Sequence, residues 1–110
     1  MNLHELGSGF FVSPQIELSD IALLNEKGIK TIICNRPDDE DIGQTSYDEI
    51  AQKAAEYGIQ CYFLPITPPQ ITLEDAQQMM KILQDGAYPM LAYCRSGTRS
   101  TYLYQLAKNM

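Results

Sequence analysis

Four short apolar runs, residues 10–12, 30–34, 60–66 and 89–93, punctuate this chain, and each is followed by a stretch with helical spacing. Such alternation, at a period of about 30 residues, matches the length of a βαβ unit. Strands separated in this way pair mainly in parallel, through right-handed crossovers that lay helices over the sheet. The expected fold is therefore α/β, a small, mainly parallel sheet of four to five strands flanked by helices. With 110 residues in all, a single core and a single domain, 1–110, are expected.

The helical stretches carry their own boundaries. Ser19 and Asp20 open the first, with Ile21, Leu23 and Leu24 as its apolar positions and Gly28 as its stop. Ser46 and Glu49 have capping-box spacing, ahead of Ile50, Ala51, Ala54 and Tyr57, and Gly58 ends the run. Thr72 opens a third helix with Ala76, Met79, Met80 and Leu83 inward and Gly86 near its end, and Leu103, Leu106 and Ala107 mark the last. Residues 1–9 carry little pattern and read as a loose lead-in that leaves His4, the sole histidine, in an exposed tail. In an open α/β sheet the loops past the carboxyl ends of the strands line the ligand crevice. Residues 35–41, 67–70 and 94–99 should then gather on one edge, bringing Arg36 and one acid of the 38–41 run within reach of the last loop.

That last loop holds the chemistry. Cys94-Arg95-Ser96-Gly97-Thr98-Arg99-Ser100 follows a buried strand and opens a helix. A strand-end cysteine before a glycine turn is often only structural, but two arginines crowded into one turn have no packing rationale. Backbone N–H groups converge in such a loop, the helix dipole adds positive charge, and guanidinium groups take two oxygens of a tetrahedral anion at once. The same features favour thiolate over thiol. Nucleophile and anion cradle coincide, with Cys94 and Arg99 as the catalytic candidates. Arg95, Ser96, Gly97, Thr98, Ser100 and Arg36 are the anion-binding ones.

The net charge of −6 and a pI near 4.5 argue against a nucleic-acid partner, which needs clustered cations. Arg95 and Arg99 read instead as a cationic island suited to a small anionic substrate. No apolar run approaches the roughly 20 residues that span a bilayer, and MNLHELGSGF lacks a secretory layout, so no membrane partner and a cytoplasmic location are expected. Three cysteines then read as free thiols, with Cys34 and Cys61 in the core. No Cys/His spacing suits a metal and no Gly-rich nucleotide loop is present, so no cofactor is expected.

Taken together, F-F-V-S-P-Q-I, K-T-I-I-C-N-R-P with its trailing acids, L-P-I-T-P-P-Q-I-T and L-A-Y-C-R-S-G-T-R-S resemble, in order and over nearly the whole chain, a bacterial phosphatase-like domain. That domain also occurs attached to beta-lactamase-like hydrolases. The resemblance implies a small tyrosine or dual-specificity phosphatase fold acting through a phosphocysteine. Cys94 would be its nucleophile, Arg99 its oxyanion clamp, Ser96, Gly97 and Thr98 its backbone donors, and Ser100 an aid to thiolate departure. Three features depart from the phosphatase pattern. Four residues rather than five separate Cys94 from Arg99, so that Ser100 occupies the expected Arg position. Tyr93 replaces the usual histidine, and residues 67–69 lack the general-acid Asp. Asp38, Asp39, Asp41 and Asp75 are the candidate substitutes.

C-R-S-G-T-R-S also resembles the six-residue loop of rhodanese sulfurtransferases, which would carry a persulfide on Cys94 and need no acid. The sequence thus leaves three readings: a phosphatase-like hydrolase acting on a phosphate monoester, a sulfurtransferase, and a non-catalytic domain that binds anions or senses thiol oxidation.

Overall fold

A computed structural model of the chain describes residues 1–67 and 70–110. In order, its elements are β1 (His4–Gly7), β2 (Phe10–Ser13), α1 (Asp20–Glu26), β3 (Thr31–Cys34), α2 (Tyr47–Ala55), β4 (Gln60–Phe63), α3 (Leu73–Asp85), β5 (Met90–Tyr93) and α4 (Thr98–Lys108). The five strands form one sheet in the order β1-β2-β5-β3-β4. β1 runs antiparallel to β2 and every other pairing is parallel, so the α/β expectation holds.

β5 is central and buried on both faces, which is why its sequence reads as an unbroken apolar run. Successive side chains alternate between the layers. Met90 and Ala92 join Phe10, Val12, Ile33, Met79, Leu103 and Tyr104 under α3 and α4. Leu91 and Tyr93 join Ile21, Leu24, Ile32, Cys34, Ile50 and Ala54 under α1 and α2. Met80 and Leu83 are only partly buried against the first cluster.

The supposed lead-in is a strand. β1 pairs with β2 in an antiparallel ladder whose register shifts between Glu5 and Gly7. Gly7 is required there because a Cβ would run into the Tyr104 hydroxyl, and Tyr104 in turn stacks on Phe10 with ring centroids 4.1 Å apart. These contacts lie about 100 residues apart in the chain, so no local pattern announced them. His4 accordingly belongs to a sheet edge rather than to a tail.

Capping follows the sequence at two helices. Ser46 and Glu49 close a full capping box, as do Thr72 and Asp75. Ser19 makes no side-chain cap; Asp20 instead accepts the Glu17 N–H at 2.8 Å. On α4 the inward residues are Ser100, Leu103, Tyr104 and Ala107, and Leu106 faces out. Leu23 and Tyr57 are also exposed, contrary to their assigned inward faces. β4 ends at Phe63, yet its extension stays tied to the β3 end through Leu64 N–H to Cys34 O at 2.9 Å and Ile66 N–H to Asn35 O at 3.0 Å. Among the described residues no helix is long and apolar enough to cross a membrane.

Candidate active site

The sheet order places the carboxyl end of β5 between those of β2 and β3. Asn35 N–H donates to Tyr93 O at 2.8 Å, Cys94 N–H to Ser13 O at 3.4 Å and Gln15 N–H to Arg95 O at 3.4 Å. The loop that starts at Cys94 is thus stitched to both neighbouring strands before α4 begins.

Gly97 turns the chain into that helix. Its φ of 94° is left-handed, and its α-carbon lies over the Ser13 backbone. The turn aims the Gly97 N–H at Cys94 Sγ, 3.0 Å away. Cys94 is fully buried, but its sulfur is enclosed by this loop and the residue belongs to neither apolar cluster. Ser96 and Thr98 lie exposed on the rim, with Ser96 Oγ donating to Thr98 Oγ1 at 3.1 Å.

Arg99 closes the loop. Nη1 donates to Glu40 Oε2 at 2.8 Å and to Ile66 O at 2.9 Å, and Nη2 donates to Glu40 Oε1 at 2.8 Å. This end-on grip leaves Nε without a partner among the described residues. The Glu40 hydrogen bonds raise the Arg99 pKa further and keep it cationic. Hydrogen bonds from Arg99 are likewise the main reason the Glu40 carboxyl is held below its ordinary range.

Arg36 departs from its expected role. It is 3% exposed, with Nε on Glu40 Oε1 at 2.9 Å, Nη1 on Gln15 Oε1 at 2.9 Å and Nη2 on Asp41 Oδ2 at 2.6 Å. Every guanidinium nitrogen is committed here, so Arg36 braces the acidic loop in this structure. Ser100 is buried, and its hydroxyl donates to Asn35 Oδ1 at 2.9 Å. Asn35 passes the restraint on to Leu64 O at 3.0 Å.

The cationic island is also not free, because Arg95 Nε pairs with Asp41 Oδ2 at 3.2 Å while Arg99 holds Glu40. Arg95 remains largely exposed at the mouth. Of the proposed substitute acids, Asp38 accepts the Tyr47 N–H at 2.9 Å and Asp75 caps α3, so both have structural duties away from the loop. Asp39 takes a left-handed turn with φ of 65°, and Asp41 bridges Arg36 and Arg95. Residues 67–69, where the usual acid is missing, include Pro68 and Pro69, which lie outside the described residues.

The loops after β3 and β5 therefore meet as expected, and Ile66 brings in the segment after β4. Glu40, Gln15 and Asn35 were not individually legible. Four neighbouring acids look alike in sequence, and only the fold selects Glu40. The other two cysteines stay apart from the site: Cys34 and Cys61 lie against the α1/α2 layer, and all three cysteines are free. Tyr93, at the usual histidine position, points its hydroxyl into that same layer beside Cys34, without a hydrogen-bond partner among the described residues. Burial pushes its pKa upward.

A parallel sheet whose central strand delivers a cysteine into an amide-lined turn, closed by an arginine on the following helix, defines the tyrosine and dual-specificity phosphatase-like class. Residues 2–110 match the family described as beta-lactamase hydrolase-like protein, phosphatase-like domain, and the chain belongs to it. A beta-lactamase hydrolase-like protein of Agrobacterium fabrum is 31% identical over 97 residues, which cover 88% of this chain and 22% of that relative. The crystal structure of a candidate phosphatase from Neisseria meningitidis superposes with a TM-score of 0.82 and 36% identity, covering 86% of this chain and 68% of its own. TpbA of Pseudomonas aeruginosa, crystallised with pTyr, shares the fold at a TM-score of 0.68 and 18% identity, over 93% of this chain and 59% of its own.

Proposed function

We propose that the chain is a cysteine-dependent phosphatase-like hydrolase acting on phosphate monoesters. The observation that carries this reading is the Gly97 N–H directed at Cys94 Sγ from the start of α4, with Arg99 held in the same loop. In the first step the thiolate attacks phosphorus, the P–O bond to the leaving group breaks, and its electron pair departs with that oxygen. Arg99 Nε and the loop amides balance the charge on the non-bridging oxygens. In the second step water attacks the phosphocysteine, releasing inorganic phosphate, a proton and the thiolate.

The acids of the site favour one kind of ester. Glu40 and Asp41 are both tied to arginines, so neither of these two carboxylates is free to protonate a leaving group. An alkoxide left unprotonated loses typically 10²–10⁴-fold in rate, whereas a phenolate departs unaided. Aryl phosphates are therefore the favoured monoesters, and pTyr bound to TpbA is an anion of that kind. A reducing cytoplasm, which keeps all three thiols free, is the compartment we assign.

Hydrolysis of p-nitrophenyl phosphate, inhibited by vanadate and abolished in Cys94→Ser, is the expected result; no turnover above buffer at high enzyme concentration overturns the proposal. The short Cys94–Arg99 spacing and the engagement of Glu40 and Asp41 with arginines favour sulfur transfer as the second reading. Attack of the thiolate on the outer sulfur of thiosulfate breaks the S–S bond, leaves a persulfide on Cys94 and expels sulfite. Mass spectrometry after thiosulfate treatment separates the two, since only this route adds one sulfur to Cys94. Anion binding with neither reaction leaves a binding domain.

A further inference from the structure

Beside the loop lies a space larger than a phosphoryl group and of mixed lining. It measures about 450 Å³ and is bordered by Arg95, Ser96, Thr98 and Arg99 together with Ile66, Ile71 and Tyr102. Tyr102 lies four residues after Thr98 on α4, so the two share a helix face and Tyr102 stands one turn above the rim. α4 buries Ser100, Leu103, Tyr104 and Ala107 and leaves Tyr102 outward, with 58% of its surface exposed. Phe10 stacks on Tyr104 and Tyr47 on Phe63, whereas Tyr102 has neither a ring partner nor a side-chain hydrogen bond among the described residues.

Tyr102 also borders a second groove, of about 480 Å³, which runs past Ser96 and Thr98 to His4 and Pro14. With Ser96 and Thr98 it borders both spaces, and it is the one aromatic residue common to them. A bare oxyanion gains nothing from an aromatic ring and a half-buried isoleucine. A phosphoryl group carrying a flat apolar substituent gains from both, because burial and ring stacking act on the substituent while the arginines hold the anion.

We propose that Tyr102 is the specificity-determining residue of the Cys94 site, its ring packing against the aryl group of an aryl phosphate with Ile71 completing the wall. This rests on the phosphatase reading for its reaction, but its recognition step stands without turnover. It does not make Tyr102 a participant in bond breaking: the residue contributes apolar surface to the bound ester and leaves the phosphoryl chemistry to Cys94 and Arg99.

The test compares phenylphosphonate with methylphosphonate, neither of which is hydrolysed, by calorimetric titration of the intact chain. Wild type should bind the phenyl compound more tightly by roughly three- to tenfold, the size of one aromatic contact. Tyr102→Ala should erase that preference while methylphosphonate affinity and melting temperature stay unchanged, and Tyr102→Phe should retain it. With p-nitrophenyl phosphate, Tyr102→Ala should raise KM by the same factor and leave kcat in place. A phenyl preference that survives in Tyr102→Ala, or one absent from wild type, overturns the inference. Failure of hydrolysis with the preference intact and Tyr102-dependent overturns the phosphatase reading alone.

Discussion

Glu40 grips Arg99 with both carboxylate oxygens, each 2.8 Å from a guanidinium nitrogen, across 59 positions of sequence. The pair turns a long, flexible side chain into a fixed clamp, and Arg36 behind it holds Glu40 in place. Glu40→Ala should therefore lower kcat/KM for an aryl phosphate by roughly tenfold to a hundredfold, the cost of a misplaced binding group. Steady-state kinetics of the variant check this; an unchanged kcat/KM would mean the loop positions Arg99 unaided.

The same pair sets an acid limit. The Glu40 carboxyl sits below its ordinary value of 4.5, chiefly through hydrogen bonds from Arg99, so the folded state binds fewer protons there than the unfolded chain. Its stabilising contribution is complete above 4.5 and is lost only as pH falls through the lowered folded-state value. Denaturant titrations of wild type and Glu40→Gln should converge as the pH drops below that point. Parallel pH profiles for the two proteins would count against the pair as a stabilising contact.

The two loop arginines should separate in mutation. Arg99 is mostly enclosed, with 14% of its side chain exposed, whereas Arg95 has 65% exposed and meets only Asp41. Arg99→Ala is expected to weaken vanadate or phosphate inhibition much more than Arg95→Ala, since exposed charges are screened and contribute little. Equal losses would contradict a clamp formed by Arg99.

Gly97 is the backbone hinge of the site. Alanine at its φ of 94° costs about 1–2 kcal/mol, and the strain falls on the turn that directs an N–H at the sulfur. Gly97→Ala should unfold at lower denaturant concentration by that amount and lose activity more steeply than stability. A variant with both properties intact would show that the left-handed turn is dispensable.

Thiol chemistry offers a further check. Burial pushes the Cys61 thiol up to about 11 and raises Cys34 as well, so both should resist alkylation at neutral pH. Iodoacetate should label Cys94, the one sulfur facing an amide in an anion loop. Peptide mapping that finds Cys34 or Cys61 modified first would remove the basis for a nucleophile at Cys94.

Much of this architecture was legible in the chain. The alternating runs specified a mainly parallel sheet, the Ser46/Glu49 spacing specified a capped helix, and C-R-S-G-T-R-S marked the turn from β5 into α4 where we place the site. These are local properties, fixed by periodicity, turn chemistry and side-chain type within a few residues. Long-range placement was not legible. Gly7 lies close against Tyr104 across nearly the whole chain, Arg36 and Ser100 are buried among side-chain partners, and Glu40 alone of four similar acids meets Arg99. Such choices depend on which strand ends lie side by side in the sheet, a relation between distant segments that only the folded chain decides.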